Sequence, residues 1–446
     1  MRKVIKRLLI GLGAFVGLLV IAAVTILIIY SIDEDPPNDA DLRIARVNVP
    51  DDENAFTWFV KAAEKVKCDE ADAELLDAFA EALYGPYVGT LPQPDGQWDG
   101  QEGERILSAN SEALDLIEKG LTYAKCEAPV VEHCDSDLPW LRPLSSARRT
   151  MALQSITAAR SGKAREALSI ALDGIRLGRL IEQSRGHVLT YLCGRNSRQL
   201  GSTCIMRIVM SCDLHDDALA ECERALAAME PRKESVADAL RREYMLTAAL
   251  IEDKKTGELS RRVTGQAVPL PSCLLRVNAT KRLFAELRRQ TIASLDGIPR
   301  NQRLLDEERT LHMYKTTGGY SSLIGPNTEG KAFFRSFSAM DVVVPQAFRT
   351  VCFIHGATRL IIALKRYELH HGSLPGDLNA LVPEFIDAIP LDSYSGKPLL
   401  YDAKAKAIYS VGKYQDNAIE HITDSSVWFE LTPKKTDAQQ PEPDSQ

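Results

Sequence analysis

SSARRTMALQSITAARSGKAREALSIALDGIRLGRLIEQSR, residues Ser145–Arg185, decides the fold class. Ala152, Ile156 and Ala159 recur at the spacing that returns a helix to one face every three or four residues. Gly162 interrupts, and Ala167, Leu168, Ala171, Leu172, Ile175 and Leu180 form a second stripe. Two amphipathic helices joined by a short glycine turn bury one stripe against the other, so the chain is read as mainly α.

Outward from this pair the helical pattern persists for much of the chain. The spacing from Gly162 to Ala167-Leu168 resembles the turn of a tetratricopeptide unit. Asp213–Met229 and Glu234–Ile251 continue the pattern without a clear 34-residue repeat, which predicts an irregular array of helical hairpins. Toward the N-terminus, Asp51 or Asp52 is the expected cap of a helix with Ala55, Phe59, Ala62, Ala63 and Val66 on one face. A second helix through Leu75, Leu76, Phe79 and Leu83 stops at Gly85-Pro86, a loop follows to Gly103, and one helix is expected from Glu104 to about Ala124. Toward the C-terminus, Thr256–Pro271 is polar and turn-rich, and Leu283, Phe284, Leu287 and Ile292 restore a helix.

At the start of the chain, Arg2, Lys3, Lys6 and Arg7 precede an uncharged run from Leu8 to Tyr30, and Asp33, Glu34 and Asp35 follow it. At about 1.5 Å per helical residue this run crosses a hydrocarbon core of roughly 30 Å with some tilt. It is longer than a signal-peptide core and ends in Ile-Ile-Tyr-Ser-Ile rather than a small-x-small site, so it is read as an uncleaved anchor. Cations before it and none just after it place the N-terminus in the cytoplasm and everything from about Ser31 outside. Gly13 and Gly17 form a G-x-x-x-G pair that would let two anchors approach closely, giving a homodimer through the membrane helix.

The 446 residues carry a net charge of −7. That balance, with an exterior location, excludes a nucleic-acid role. Nine cysteines in an exported chain invite disulfides. Cys126 and Cys134 flank an Ala-Pro and an acidic turn and are the expected bridged pair. Cys193 and Cys204 lie eleven residues apart on one expected helix, about 16 Å along its axis, and cannot pair with each other. Asn278-Ala-Thr280 matches a glycosylation sequon, a motif that also arises by chance.

Val342–His371 is expected as one long helix with Ile354, Ala357, Ile361, Leu364 and Tyr367 on one face and Pro345 in its first turn. Gly372 ends it. Short apolar segments at Leu399–Tyr401, Ala407–Val411 and Val427–Leu431 suit a small antiparallel sheet packed on that helix. The series Leu364-x-x-Tyr367-x-x-x-x-Gly372-x-x-Pro375, Leu378-x-x-Leu381-Val382, Ile389-Pro390-x-Asp392, Gly396-Lys397-Pro398-x-x-Tyr401 and Tyr409-Ser410-Val411-Gly412 resembles the globular head of the G-type pseudopilin of bacterial type II secretion. It covers about 75 residues. Here the apolar anchor lies about 300 residues upstream and lacks the prepilin-peptidase site and the glutamate near the start of the pseudopilin helix, so filament incorporation is not expected. In that family the loop after the Ser-x-Gly binds calcium, which implies Asp416, Glu420 and Asp424 as candidate ligands, although Tyr414 stands where an acid is expected; calcium takes six to eight oxygens.

The expected organisation is a cytoplasmic tip and anchor over 1–30, a linker over 31–50, an exported α-helical domain over 51–330, a pseudopilin-like α+β domain over 341–432 and a disordered tail over 433–446. No H-E-x-x-H, G-x-x-x-x-G-K-[ST] or G-x-S-x-G occurs. His370-His371 beside Glu368 is a weak metal candidate, and Asp377, Glu384, Asp387 and Asp392 are candidates for a carboxylate pair. The expected function is a membrane-anchored, extracytoplasmic, non-enzymatic scaffold of the cytoplasmic membrane that binds a protein partner on the exported side and is associated with type II secretion. The alternative is an envelope hydrolase.

Overall fold

The computed structural model describes residues 2–84, 100–134, 136–253, 275–296, 327–337, 340–411 and 426–428. The elements are mainly helical: α1 Arg2–Ser31, α2 Ala55–Lys65, α3 Glu70–Tyr84, α4 Gly100–Ala109, α5 Ser111–Leu121, α6 Leu141–Arg160, α7 Ala164–Glu182, α8 Val188–Ser211, α9 Asp216–Ala227, α10 Lys233–Glu252, α11 Val277–Ala293, α12 Thr328–Phe337 and α13 Met340–His371. One small sheet follows, built from β1 Leu400–Asp402, β2 Ala407–Tyr409 and β3 Ser426–Trp428 in the antiparallel order β1-β2-β3. Leu400 faces Tyr409, and Ala407 faces Trp428.

The α6–α7 pair turns at Gly162, whose φ of +77° is open to a residue without Cβ, and the Lys163 amide returns to the Ala158 carbonyl at 3.0 Å. Between α7 and α8 the backbones nearly touch. A Cβ on Gly178 would lie 2.5 Å from the Gly194 carbonyl oxygen, and one on Gly194 would lie 2.6 Å from the Gly178 oxygen. Ser197 Oγ donates to the Gly174 carbonyl at 2.9 Å in the same seam.

Two helix boundaries differ from the sequence expectation. Asn54, not Asp51 or Asp52, caps α2: its Oδ1 accepts from the Phe56 and Glu127 amides, and its Nδ2 donates to the Glu127 carbonyl. A carboxylate could not make that third bond. The expected single helix from Glu104 is two helices broken at Asn110, which is buried and exchanges hydrogen bonds with both the amide and the carbonyl of Lys67. Pro345 lies in the second turn of α13 rather than the first.

The largest core runs from Leu76 and Phe79 through Ile156, Ile175 and Ile208 to Leu360, Leu364, Leu381 and Ile408. It contains residues of both the 51–330 and the 341–432 segments. α13 supplies the junction, with one flank on α8 and α9 and another under the 3-10 turn Leu378–Leu381 and the sheet. Gly372, at φ +75°, ends α13, and its amide bonds to the Glu368 carbonyl at 2.8 Å.

Among the described residues, two helices are long and apolar enough to cross a membrane. The apolar stretch of α13 is 83% buried in the protein and is a core helix; the Ile5–Ala22 stretch of α1 is buried against none of the described residues. The segment after α1 is bound to the body instead. Asp33 accepts from the first amides of α11, Asn278 at 2.7 Å and Ala279 at 3.1 Å, and so caps a helix some 245 residues away. Arg276 reaches the Ile29 carbonyl, Arg282 the Asp35 carbonyl, and Arg289 both oxygens of Asp41. Asp39 then accepts from Tyr244 at 2.8 Å, and Glu127 from the Val47 and Val49 amides.

Candidate functional site

α13 carries a second stripe that its apolar face conceals. Cys352, His355, Arg359 and Arg366 recur every three to seven residues, which places them on one flank of the helix. Arg359 binds Glu223 of α9 at 2.8 and 2.9 Å and Glu230 at 2.8 Å. Arg366 binds Asp216 at 2.8 and 3.2 Å. Behind them Arg198 of α8 is 1% exposed and holds Glu182 of α7 at 2.9 Å, with a further bond to the Met229 carbonyl. Buried guanidinium groups are retained only with carboxylates in place, and these pairs lock α13 to α7, α8 and α9.

Along this flank opens a cleft of about 1270 Å³. Its floor is α13 from Phe348 to Arg359, one wall is the turn from α9 into α10, and the opposite lip is the loop Asp387–Gly396. Lys233 pairs with Asp296 at one end. The loop sits close on the helix: a Cβ on Gly356 would lie 2.9 Å from Pro390 Cβ, and the Arg349 guanidinium lies over the Tyr394 ring at 5.6 Å. Asp392 organises the loop. It is 1% exposed and accepts from Ser410 Oγ at 2.7 Å, Ser395 Oγ at 2.9 Å, the Tyr394 amide at 3.1 Å and the Val411 amide at 3.2 Å.

His355 is 3% exposed and lines the floor, with the Leu226 carbonyl as the backbone group facing its ring. Burial, then the nearby Arg198 and Arg359, pulls its pKa down to about 3, so the ring is neutral. Burial pushes the Cys352 thiol up to about 12. A Cys-His nucleophile needs the reverse, a thiolate stabilised beside a cationic imidazole. Cys352 and His355 are therefore not an activated pair, and the cleft they line mixes apolar side chains with charged ones such as Arg232, Glu234 and Asp387.

The residues singled out in the sequence fall elsewhere. Asp416, Glu420 and Asp424 lie outside the described residues, as does the 433–446 tail. His370 faces Asp216 at 3.5 Å, His371 stacks on Tyr367, and Glu368 pairs with Lys365, so the three point to different partners. Among the described residues no three His, Cys, Asp or Glu side chains are grouped to hold a metal. Asp377 caps the 3-10 turn by accepting from the Asn379 amide, Glu384 and Asp387 are exposed, and Asp392 is committed to its donors. Cys126 and Cys134 stand as thiols packed against different clusters, the first on the one that contains Phe56 and Trp140, the second on the one that contains Tyr244 and Phe284. Gly13 and Gly17 lie on α1 with open space where a Cβ would be. Asn278 of the sequon donates its side-chain amide to the Glu34 carbonyl at 2.8 Å.

The cleft itself was not read from the sequence. Its signal was present: cysteine, histidine and arginine at positions 352, 355 and 359 of an otherwise apolar helix. Comparison with protein-family models, curated proteins and solved structures finds no match for this chain.

Proposed function

We propose that this protein is a single-pass membrane protein of a bacterial cytoplasmic membrane, with its N-terminus in the cytoplasm and the chain from about Ser31 outside. There it serves as a non-enzymatic scaffold for a protein partner, and its pseudopilin-like head associates it with type II secretion. One observation carries the reading: α1 is apolar, with its Ile5–Ala22 stretch buried against none of the described residues, while the segment that follows it is hydrogen-bonded to the body from Asp33 to Val49. A helix that exposes this much apolar surface is stable in lipid and a liability in water. Cations before the helix and acids after it support the stated orientation.

The long helix, its exit at Gly372 and the following three-stranded sheet support the head assignment by order and spacing. The hydrolase reading would require an activated pair in the cleft, and Cys352 and His355 are shifted the opposite way.

The test is crosslinking of the full-length protein in cells, purification from membranes and identification of what accompanies it. Secretion components recovered reproducibly support the reading. Recovery from the soluble fraction, or cysteine labelling that places the C-terminus in the cytoplasm, overturns the topology; absence of any reproducible partner overturns the scaffold.

A further inference from the structure

The linker crosses the turn between α7 and α8, where Arg185 donates to the Ala45 carbonyl at 3.2 Å, and a pocket of about 50 Å³ opens beside it. This pocket shares no residue with the cleft along α13. Arg46, Arg185 and Arg242 line it, against one carboxylate, Glu127. Glu127 is already engaged: it accepts from the Val47 and Val49 amides and pairs with Arg46 at 3.3 Å. The other acids nearby offset little. Asp238 approaches Arg185 at 3.5 Å but holds Arg241 at 3.0 Å, and Glu243, beside His187, is pushed by burial toward its neutral form. Arg242 gives its Nε to the Arg185 carbonyl at 3.2 Å, and neither of its terminal nitrogens meets an acceptor among the described residues. Burial, then the neighbouring Arg46, holds its pKa below the ordinary value, as expected of a cation without a counter-charge of its own.

The turn itself is shaped for a cation. Arg185 takes φ +55°, a left-handed conformation that costs a residue with a Cβ energy and that glycine adopts freely. His187, also in the lining, accepts the Leu189 amide through Nδ1 at 3.2 Å, so the hydrogen of its neutral ring is on Nε2 and its other nitrogen is a donor. From this arrangement we infer that the pocket binds one phosphate group, held by the guanidinium forks of Arg242 and Arg185 with Arg46 beside them. Three guanidinium groups less one committed carboxylate leave two positive charges in the lining. A phosphate monoester carries about −1.5 to −2 near neutral pH and meets that excess, whereas a lone carboxylate does not. At roughly 10–15 Å³ for each water-sized oxygen, the volume takes about four of them, the complement of one phosphate. Val130, Val131 and Trp140 form an apolar side, where an organic group borne on the phosphate would lie.

The full-length protein in phosphatidylcholine nanodiscs is titrated calorimetrically at low salt with inorganic phosphate, glycerol 3-phosphate and acetate, as wild type, Arg242→Gln, Arg185→Gly and Arg165→Gln. Expected is saturable binding of phosphate, with acetate far weaker. Affinity falls about tenfold or more in Arg242→Gln and in Arg185→Gly, the scale of one lost charge-assisted hydrogen bond. Glycine suits φ +55°, so Arg185→Gly keeps a melting temperature near that of wild type and separates lost binding from lost folding. Arg165, exposed and paired with Glu221 away from the pocket, is the control, and Arg165→Gln leaves affinity unchanged. Glycerol 3-phosphate bound more tightly than inorganic phosphate assigns the group to an organic phosphate that reaches the apolar side; equal or weaker binding assigns it to the free anion. No saturable phosphate binding, acetate bound as tightly as phosphate, or an affinity that is unchanged in both Arg242→Gln and Arg185→Gly overturns the inference.

Discussion

The carboxylate of Asp392 accepts two hydroxyls and two backbone amides from the loop 394–395 and from the strand end at 410–411, with almost no access to water. Removing it strands those donors in a dry environment, at about 1–3 kcal/mol for each left unmet. Asp392→Ala is expected to lower stability by at least about 3 kcal/mol in urea or thermal unfolding, on the same donor arithmetic. Asp392→Asn retains the shape but accepts through only one oxygen, so it is expected to lose less. The loop forms one lip of the cleft, so this carboxylate positions that lip as well.

Helix pairs set the next level, and the seam between α7 and α8 is the tightest of them. A methyl on Gly178 or Gly194 would meet a facing carbonyl oxygen at 2.5–2.6 Å, closer than real contacts allow, whereas a methyl on Gly174 finds only Gly201 Cα at 3.9 Å. Gly178→Ala and Gly194→Ala are therefore expected to push the helices apart and cost about 1–3 kcal/mol, while Gly174→Ala is neutral or gains up to roughly 1 kcal/mol of helix propensity. Thermal melts of the three variants check the contrast. Elements of this kind were legible in the sequence. The Ser145–Arg185 pair, the helix ending at Gly372 and the strands near 400, 408 and 427 follow from apolar periodicity and from glycine where φ is positive. What was missed depends on partners distant in sequence. Asn54 outcompetes the two preceding aspartates only because Glu127 is beside it, and Asn110 breaks a helix only because Lys67 needs both of its amide groups. The cleft requires α13 to be seen between two neighbours; alone, residues 352, 355 and 359 are three polar interruptions of an apolar run.

For the molecule as a whole, the attachment of the linker and the buried histidines determine how α1 is held to the body and how the protein behaves in acid. Asp33 ties the exit of α1 to the first turn of α11, and Asp39 and Asp41 continue the attachment along α10 and α11, so the segment after α1 is held to the body at several points rather than as a free tether. Asp33→Ala is expected to accelerate hydrogen exchange at the Asn278 and Ala279 amides in nanodiscs while leaving amides in the α7–α8 seam unchanged. Acid acts elsewhere. Burial holds His187 down to about 4 and His355 down to about 3, against about 6.5 in an unfolded chain. Between those values the unfolded chain binds protons that the folded one does not, so stability present above pH 6.5 is lost as pH falls. His187 alone accounts for roughly 3 kcal/mol by pH 4, at about 1.4 kcal/mol for each tenfold change in proton affinity. Glu243, which faces His187 at 3.8 Å, and Asp341 are both raised by burial, and their contribution is largest in acid and lost as pH rises above the usual carboxylate range, so they blunt the slope. Glu127 and Asp39, both held low by hydrogen bonds and arginines despite opposing burial, steepen it again below about pH 4.5, where unfolded carboxylates begin to take up protons. The melting temperature is thus expected to decline steadily from pH 7 to pH 5. His187→Asn keeps an acceptor for the Leu189 amide at the start of α8 but cannot titrate, and its profile over that interval is expected to be flatter than wild type. A His187→Asn profile no flatter than wild type between pH 7 and pH 5 would show that burial does not hold His187 neutral in the folded protein, because the opposing carboxylates Glu243 and Asp341 are common to both chains.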